Sequence, residues 1–185
     1  VLNIDTKNKT IDLVVGKLLN TEGHINIIGG GKINLYIEDE LNLGSGSSSV
    51  NKNGNPEQLN VFYAGSEKLN VSNNQRLNGS LYIKSADLQI INGGNFKGYI
   101  ISGGNHVELR GGTYSDALIL APRASINLLE GAHVNGVVIG KLFNADGGTK
   151  INYKKFDTSL LPPIESIGDD GGGEIIETGA TIEIE

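Results

Sequence analysis

The chain has 185 residues and a formal net charge of −6, with 27 Gly and no Cys, Met or Trp. Its length suits one ordinary domain, alone or with a tail. The negative charge argues against broad, sequence-independent nucleic-acid binding, which depends on neutralising phosphates with Lys and Arg. No apolar stretch approaches the roughly 20 residues that a membrane-spanning helix needs.

Residues 1–22 contain two short apolar runs, at 1–4 and 11–15, on either side of a turn-like segment at 7–9. This pattern predicts a hairpin or a first, irregular coil. Because the end of a stack of strands exposes unpaired edges, we expect residues 1–22 to cap the domain that follows.

From residue 24 onward, short triplets recur in which Asn lies between two apolar residues, as at Asn26, Asn34, Asn42 and Asn60. Alternation of apolar and polar residues is typical of a strand that buries one face. Residues 44–58 interrupt this pattern with Gly, Ser, Asn and a single Pro. This composition predicts a loop inserted outside the core.

Between Leu69 and Phe143 the pattern repeats about every 19 residues. The apolar–polar–apolar triplets begin at Leu69, Leu88, Val107 and Ile126, and a second series runs through Leu77, Phe96, Tyr114 and Val134. Period-two alternation and β-branched residues favour strands over helices. A fixed repeat indicates units that stack on a shared core. The sequence therefore predicts an all-β, single-domain parallel β-helix (β-solenoid) over residues 23–156, right-handed, with about six coils of about 19 residues.

Residues 157–185 depart from the repeat. Asp157 is a helix N-cap candidate and is followed by two prolines at 162–163, which predicts a short turn. The Gly- and Asp-rich stretch at 168–174 predicts a linker, and its acidic residues do not match the spacing of a twelve-residue calcium loop. The alternation in residues 180–185 predicts a terminal strand.

The middle residues of the triplets are candidates for a polar docking face, because they point outward when their neighbours fill the core. Stacked coils would place them in one regular stripe, about 4.8 Å apart. The stripe is either simple polar cladding or a binding face. Its members are Asn26, Asn42, Asn60, Asn70, Gln89, Glu108 and Asn127.

A second candidate face is apolar where a solvated strand would alternate with polar residues, as around residues 81–83, 117–120 and 137–139. A strand that is apolar on both sides requires a cover. The cover is either internal, from residues 11–19 or the C-terminal strand, or a partner subunit. The residues assigned to this face are Tyr82, Ile101, Ile119 and Ile139.

Catalysis and metal binding have little support in the sequence. Asp87, Glu108, Asp116 and Glu130 occupy different registers of the repeat, so stacking does not bring them together. The three His residues are scattered, and there is no Cys to complete a zinc site. We therefore expect a non-catalytic protein with no catalytic residues, cofactor or metal.

Residues 33–44, residues 54–65 and the Asn-Gly-Ser-Leu-Tyr-Ile sequence of 78–83 carry a family resemblance. In the order of these elements, residues 25–153 resemble the C-terminal β-solenoid domain of PilX-type, type IV pilin-like bacterial pilus-assembly proteins. The resemblance implies an extracellular, cell-surface location and a membrane- or pilus-packing helix upstream of this chain. It implies pilus or cell-surface subunits as partners and supplies no catalytic residues.

The expected function is structural: a minor-pilin-like subunit or adhesin that contacts other subunits, a glycan or a surface. A polysaccharide-active β-helix lyase or hydrolase is one alternative, which would require carboxylates converging in a groove. An ice- or surface-binding solenoid is another, although such proteins use ranks of Thr and the stripe here is rich in Asn.

Overall fold

The computed structural model describes residues 1–20, 22–44, 46–157 and 159. That part of the chain contains fourteen β-strands, one 3-10 turn at Pro56–Gln58 and no α-helix. The strands are β1 Leu2–Asp5, β2 Thr10–Leu19, β3 His24–Ile28, β4 Lys32–Asn42, β5 Ser49–Val50, β6 Leu59–Tyr63, β7 Leu69–Val71, β8 Arg76–Ile83, β9 Leu88–Ile91, β10 Asn95–Ser102, β11 His106–Arg110, β12 Tyr114–Leu128, β13 His133–Ala145 and β14 Lys150–Tyr153.

All pairings between these strands are parallel, and they form three walls of a solenoid. Wall A contains β1, β3, β5, the first parts of β8, β10, β12 and β13, and β14. Wall B contains the first parts of β2 and β4, then β6 and the following parts of β8, β10, β12 and β13. Wall C contains β7, β9, β11 and the ends of β12 and β13.

The predicted β-solenoid and its repeat are confirmed. Leu81, Ile100, Ile119 and Val138 are successive register partners on wall B, and they are 19 residues apart. The same column begins with Leu13, Leu35 and Val61, which are spaced less evenly. These side chains point inward and form the core, so Leu81, Ile100 and Ile119 are almost fully buried.

The solenoid has about eight turns instead of the expected six, since wall A contains eight strands from β1 to β14. Residues 1–22 form a complete first coil and not a hairpin, because β1 pairs with β3 and β2 pairs with β4. The early coils were not recognised in the sequence because their corners are longer. Along the inward column, 22 residues separate Leu13 from Leu35 and 26 separate Leu35 from Val61.

The prediction of a loop outside the core at 44–58 is wrong for its central part. Ser49 and Val50 form β5, which pairs with β3 and β8 inside wall A. Ser48, Val50 and Asn51 are almost fully buried. Asn51 tolerates the positive φ needed at this corner, and its amide donates to the carbonyls of Asn55 and Asn78, each at 3.0 Å. The true insertion is residues 52–58, including the 3-10 turn.

Walls A and B are continuous in the later coils, and a small residue marks each junction. Gly79, Gly98, Ala117 and Gly136 are register partners there. Gly98 has a φ of +133°, and a Cβ at this position would lie 2.1 Å from the carbonyl oxygen of Gly79. Only a residue without a side chain allows this approach of the two strands.

The second predicted series contains a one-residue error. Leu77, Phe96 and Val134 are register partners as expected, but their partner in β12 is Ser115 and not Tyr114. Tyr114 is 45% exposed and points outward. The buried Ser115 hydroxyl has no hydrogen-bond partner among the described residues.

The predicted turn at Asp157 is partly described. The Asp157 carboxylate accepts hydrogen bonds from the Ser159 backbone N–H at 3.0 Å and from its hydroxyl at 2.6 Å. These hydrogen bonds lower the pKa of Asp157. The predicted linker at 168–174 and the strand at 180–185 lie outside the described residues.

Candidate functional site: an aromatic ladder on the solenoid surface

The outward side of wall B carries a continuous column of apolar residues, here called the outer column. Each member is the register partner of the next, so the column crosses seven strands along the solenoid axis. It consists of Val14, Tyr36, Phe62, Tyr82, Ile101, Leu120 and Ile139. A solvated parallel sheet would place polar residues at such positions, which makes the column a candidate docking surface.

Three adjacent members form an aromatic ladder: Tyr36, Phe62 and Tyr82. The ring centroids of Tyr36 and Phe62 are 4.8 Å apart with an interplanar angle of 11°, and those of Phe62 and Tyr82 are 4.7 Å apart at 13°. These distances match the spacing between neighbouring strands, so strand pairing itself imposes the stacking. Because the ring faces cover one another, the ladder presents its ring edges to the outside.

A groove of about 480 Å³ follows the ladder, here called the ladder groove. Its lining includes the three rings, Val14 and Ala64, and Glu38 and Lys84 supply its charged groups. This volume is within the range of about 300–1,000 Å³ typical of ligand sites. Val14 is 66% exposed and Tyr36 37% exposed, so this part of the column is accessible.

The middle of the outward face is covered from within the chain, whereas Ile139, at the far end of the outer column, is 47% exposed. A second hydrophobic cluster, here called the outer cluster, consists of Tyr99, Ile101 and Leu118, whose exposed fractions are 7%, 6% and 6%. Phe156 packs against the outer cluster, with its ring 5.5 Å from that of Tyr99 in an edge-on arrangement. The Tyr99 hydroxyl donates to the Asp157 carbonyl at 2.8 Å.

An internal cover therefore exists over this part of the face, but it comes from Phe156 and not, as the sequence suggested, from residues 11–19. Phe156 belongs to the segment that follows β14. The predicted C-terminal strand, the other internal cover that was expected, lies outside the described residues. A single Phe three residues after the end of β14 carries no periodic signal. Its position over Tyr99 follows from the path of the chain, which the repeat does not encode.

Burial shifts the pKa of two phenols on this face further away from physiological pH. Burial raises the pKa of Tyr82, and burial followed by the neighbouring Asp157 and Glu57 carboxylates raises that of Tyr99. Both of these phenols are therefore neutral at physiological pH.

One of the four predicted apolar face residues was wrong. Tyr82, Ile101 and Ile139 lie in the outer column, but Ile119 belongs to the inward column between Ile100 and Val138 and is fully buried. Leu120 occupies the outward position instead. In a run where every residue is apolar, alternation does not reveal which members point inward, and a slip of one residue exchanges the two faces.

The predicted polar stripe is distributed over three walls. The side chains are exposed or half-buried while their apolar neighbours are mostly buried, as the triplets indicated. Asn26 is on wall A, Asn60 is on wall B, and Asn42 is the last residue of β4. The remaining four are successive register partners on wall C: Asn70, Gln89, Glu108 and Asn127. The same triplet occurs on every wall, so the sequence did not distinguish them.

Short amide ladders connect these residues to neighbouring coils. Asn60 donates to Asn34 at 2.9 Å, and Asn34 donates to Asp12 at 2.8 Å. On wall C, Gln89 donates to Glu108 at 3.1 Å, and Glu108 pairs with Arg110 at 3.0 Å. Such stacked amides satisfy each other across parallel strands. Their polar groups already have partners, so a role in docking stays a prediction.

Of the four carboxylates of the repeat region, Glu108 and Glu130 share one partner, Arg110, at 3.0 Å and 3.8 Å, and the other two are paired separately. Asp87 contacts His106 at 3.2 Å and Asp116 contacts Lys154 at 3.2 Å. Burial raises the pKa of Asp116, but hydrogen bonds from Asn135 and Lys154 outweigh it and lower the pKa overall. No group of three or more His, Cys, Asp or Glu side chains within the described ranges could hold a metal ion.

Two further clefts border the outer face. One, of about 390 Å³, is lined by carboxylates at residues 38–40 and 67 together with Lys17, which pairs with Glu40 at 3.3 Å. The other, of about 240 Å³, lies between the 3-10 turn and Phe156 and contains the Asp116–Lys154 pair. Four carboxylates line the first of these clefts, and two, Glu57 and Asp116, line the second.

Residues 1–108 match the family described as a domain of unknown function, DUF7305. The chain belongs to that family. The matched region contains β1 to β10 and therefore the whole aromatic ladder. No curated protein and no solved structure matches the chain. In the part of the chain that the structure describes, no helix is long and apolar enough to cross a membrane.

Proposed function

We propose that this protein is a non-catalytic structural and binding module of a bacterial cell-surface assembly, such as a minor-pilin-like subunit or an adhesin. The outer column carries the proposal, because it is an apolar surface that is covered around Ile101 and accessible at both ends, where Val14 is 66% and Ile139 47% exposed. Contiguous exposed apolar area of this kind marks interaction sites in soluble proteins. The extracellular location rests on the family resemblance of residues 25–153.

The solenoid is suited to such a role by its construction. Hydrogen bonds between coils run along the whole stack, and the core side chains form continuous columns on each wall. A repeat protein of this kind provides a long surface with fixed spacing between its side chains. A partner that contacts several coils therefore meets a preformed surface and loses little free energy in ordering it.

Site-specific photo-crosslinking in the source bacterium tests the proposal. A benzoylphenylalanine at position 62 lies in the ladder groove, and one at position 114 replaces an exposed aromatic residue on wall A as a matched control. We expect position 62 to crosslink to another subunit of a surface assembly and position 114 to crosslink weakly or not at all. The protein should also be accessible to protease added to intact cells.

The proposal would be overturned by a protein that resists external protease in intact cells and gives the same crosslinks from both positions. The polysaccharide-active alternative has its own test. Release of reducing ends or unsaturated products from acidic polysaccharides, lost when the carboxylates at 38–40 and 67 are replaced by amides, would establish an enzyme in place of a docking module.

A further inference from the structure

The end of β14 and the residues that follow it, 152–156, show how this face binds a stretch of polypeptide. Asn152, within β14, donates to its register partner Asn135 at 2.9 Å, and Lys154, the first residue after β14, pairs with Asp116 at 3.2 Å. Phe156 then packs on Tyr99. These contacts are in β13, β12 and β10, so alternate residues of the segment reach successively earlier coils.

The segment therefore runs along the solenoid axis across the strands, with polar contacts at the corner and an apolar anchor in the outer cluster. An extended chain advances about 6.6 Å in two residues, and neighbouring coils are about 4.8 Å apart. Every second side chain of an extended peptide can therefore contact the next coil if the peptide bends only modestly.

The ladder groove continues this established contact. Tyr82 belongs both to the aromatic ladder and to the residues packed against the outer cluster, which also contains the adjacent Ile101. From Tyr82 the column continues over Phe62 and Tyr36 to Val14, three strand spacings or about 14 Å. About four extended residues would span this distance.

The shape of the ladder favours aliphatic side chains. The ring faces are taken up by stacking within the ladder, so planar ligands such as nucleobases, which bind to ring faces, find none free between the rings. Ring edges and the grooves between them suit branched aliphatic side chains and proline, and aromatic-lined grooves are a known recognition surface for extended, proline-containing peptides. Glu38 and Lys84 add one charge of each sign at the rim.

From these contacts we infer that the ladder groove binds an extended, aliphatic or proline-containing peptide segment of a partner protein, lying along the solenoid axis as residues 152–156 do. This inference rests on the proposed docking function and specifies its partner. A folded partner would instead need a contact surface of about 20–30 residues on each side, whereas ten of the described residues line the groove.

A phage-displayed library of random twelve-residue peptides, selected on the purified full chain, tests the inference. We expect enriched sequences to carry at least two aliphatic or proline residues within four positions. Synthetic peptides of those sequences should bind the wild type, and Phe62→Ser should weaken the affinity at least tenfold. Tyr114→Ser, on wall A, should leave it unchanged, and circular dichroism should show that both variants are folded.

Selection without enrichment, or binding that Phe62→Ser does not weaken, would overturn the inference. Peptides that bind only after removal of residues 160–185 would also overturn it, by assigning the groove to a segment of this chain. Failure of peptide binding with crosslinks retained at position 62 would refute the peptide and leave the docking function standing. Peptide binding by a protein that is not surface-exposed would refute the proposed location and function.

Discussion

The substitution Leu118→Asp places a carboxylate in the outer cluster, beneath Phe156. Leu118 is 6% exposed and packs with Tyr99 and Ile101. Losing the buried Leu costs about 1.5–3 kcal/mol. Burial also raises the pKa of the new carboxyl, and each pKa unit adds about 1.4 kcal/mol at pH 7. We therefore expect a total destabilisation of about 3–5 kcal/mol.

The pH dependence separates the charge from the lost packing. A carboxyl whose folded-state pKa is raised destabilises the fold fully above that pKa, and the penalty disappears as the pH falls below its unfolded value near 4. Leu118→Asn loses the same packing but does not titrate. Urea denaturation of both variants and the wild type at pH 7 and at pH 3.5 therefore isolates the charge, with the Asp variant less stable than the Asn variant only at pH 7.

Two results would refute this reasoning. If Leu118→Asp unfolds at the same urea concentration as the wild type, Leu118 is not buried, and the segment around Phe156 does not cover it. If the Asp and Asn variants are equally destabilised at both pH values, the position is open to water and the outer cluster does not exclude solvent.

Two further predictions concern the junctions and the corner ion pair. Gly98→Ala should destabilise the protein by about 2–4 kcal/mol in urea denaturation, because φ is +133° and the new Cβ meets a backbone oxygen. Gly147→Ala, with open space around it, should change stability by less than about 0.5 kcal/mol. Equal effects of the two substitutions would contradict the close approach of the strands at Gly98. Asp116→Asn should cost about 0.5–1 kcal/mol at pH 7. Because the pKa of Asp116 is lowered, by hydrogen bonds from Asn135 and Lys154 that outweigh burial, this contribution is present above the unfolded pKa. The stabilisation by Asp116 is lost as the pH falls through its folded-state pKa. A difference in stability between the wild type and Asp116→Asn that persists at pH 2 would therefore contradict this account.

The fold could be predicted from the sequence because a solenoid repeats its physical requirements. Leu88, Val107 and Ile126 meet the same environment in successive coils, so the 19-residue period appears directly in the chain. The early coils lack this regularity, since corners of different length separate their strands. Ser49 and Val50 illustrate the limit: a two-residue strand among Gly, Ser and Asn has too few positions to show alternation.

The candidate site was predictable only in part. Apolar residues on both sides of wall B strands indicated an apolar outward face, which is covered in part, but Ile119 was assigned to the wrong side because its neighbours are apolar too. Tyr36 and Phe62 were missed, although each lies at the outward position of a strand. The signal was present as an aromatic residue two positions after the middle Asn of a triplet, at Asn34 and Asn60.

Engineered disulfides offer the most direct measurement of the outer column, because the chain has no cysteine of its own. Leu120 and Ile139 are register partners on the outward side, and neighbouring Cα atoms about 4.8 Å apart are within disulfide range. We predict that Leu120→Cys with Ile139→Cys forms a disulfide under mild oxidation, and that Ile119→Cys with Ile139→Cys does not. Rapid disulfide formation by the second pair and none by the first would place Ile119 outward and contradict the docking surface.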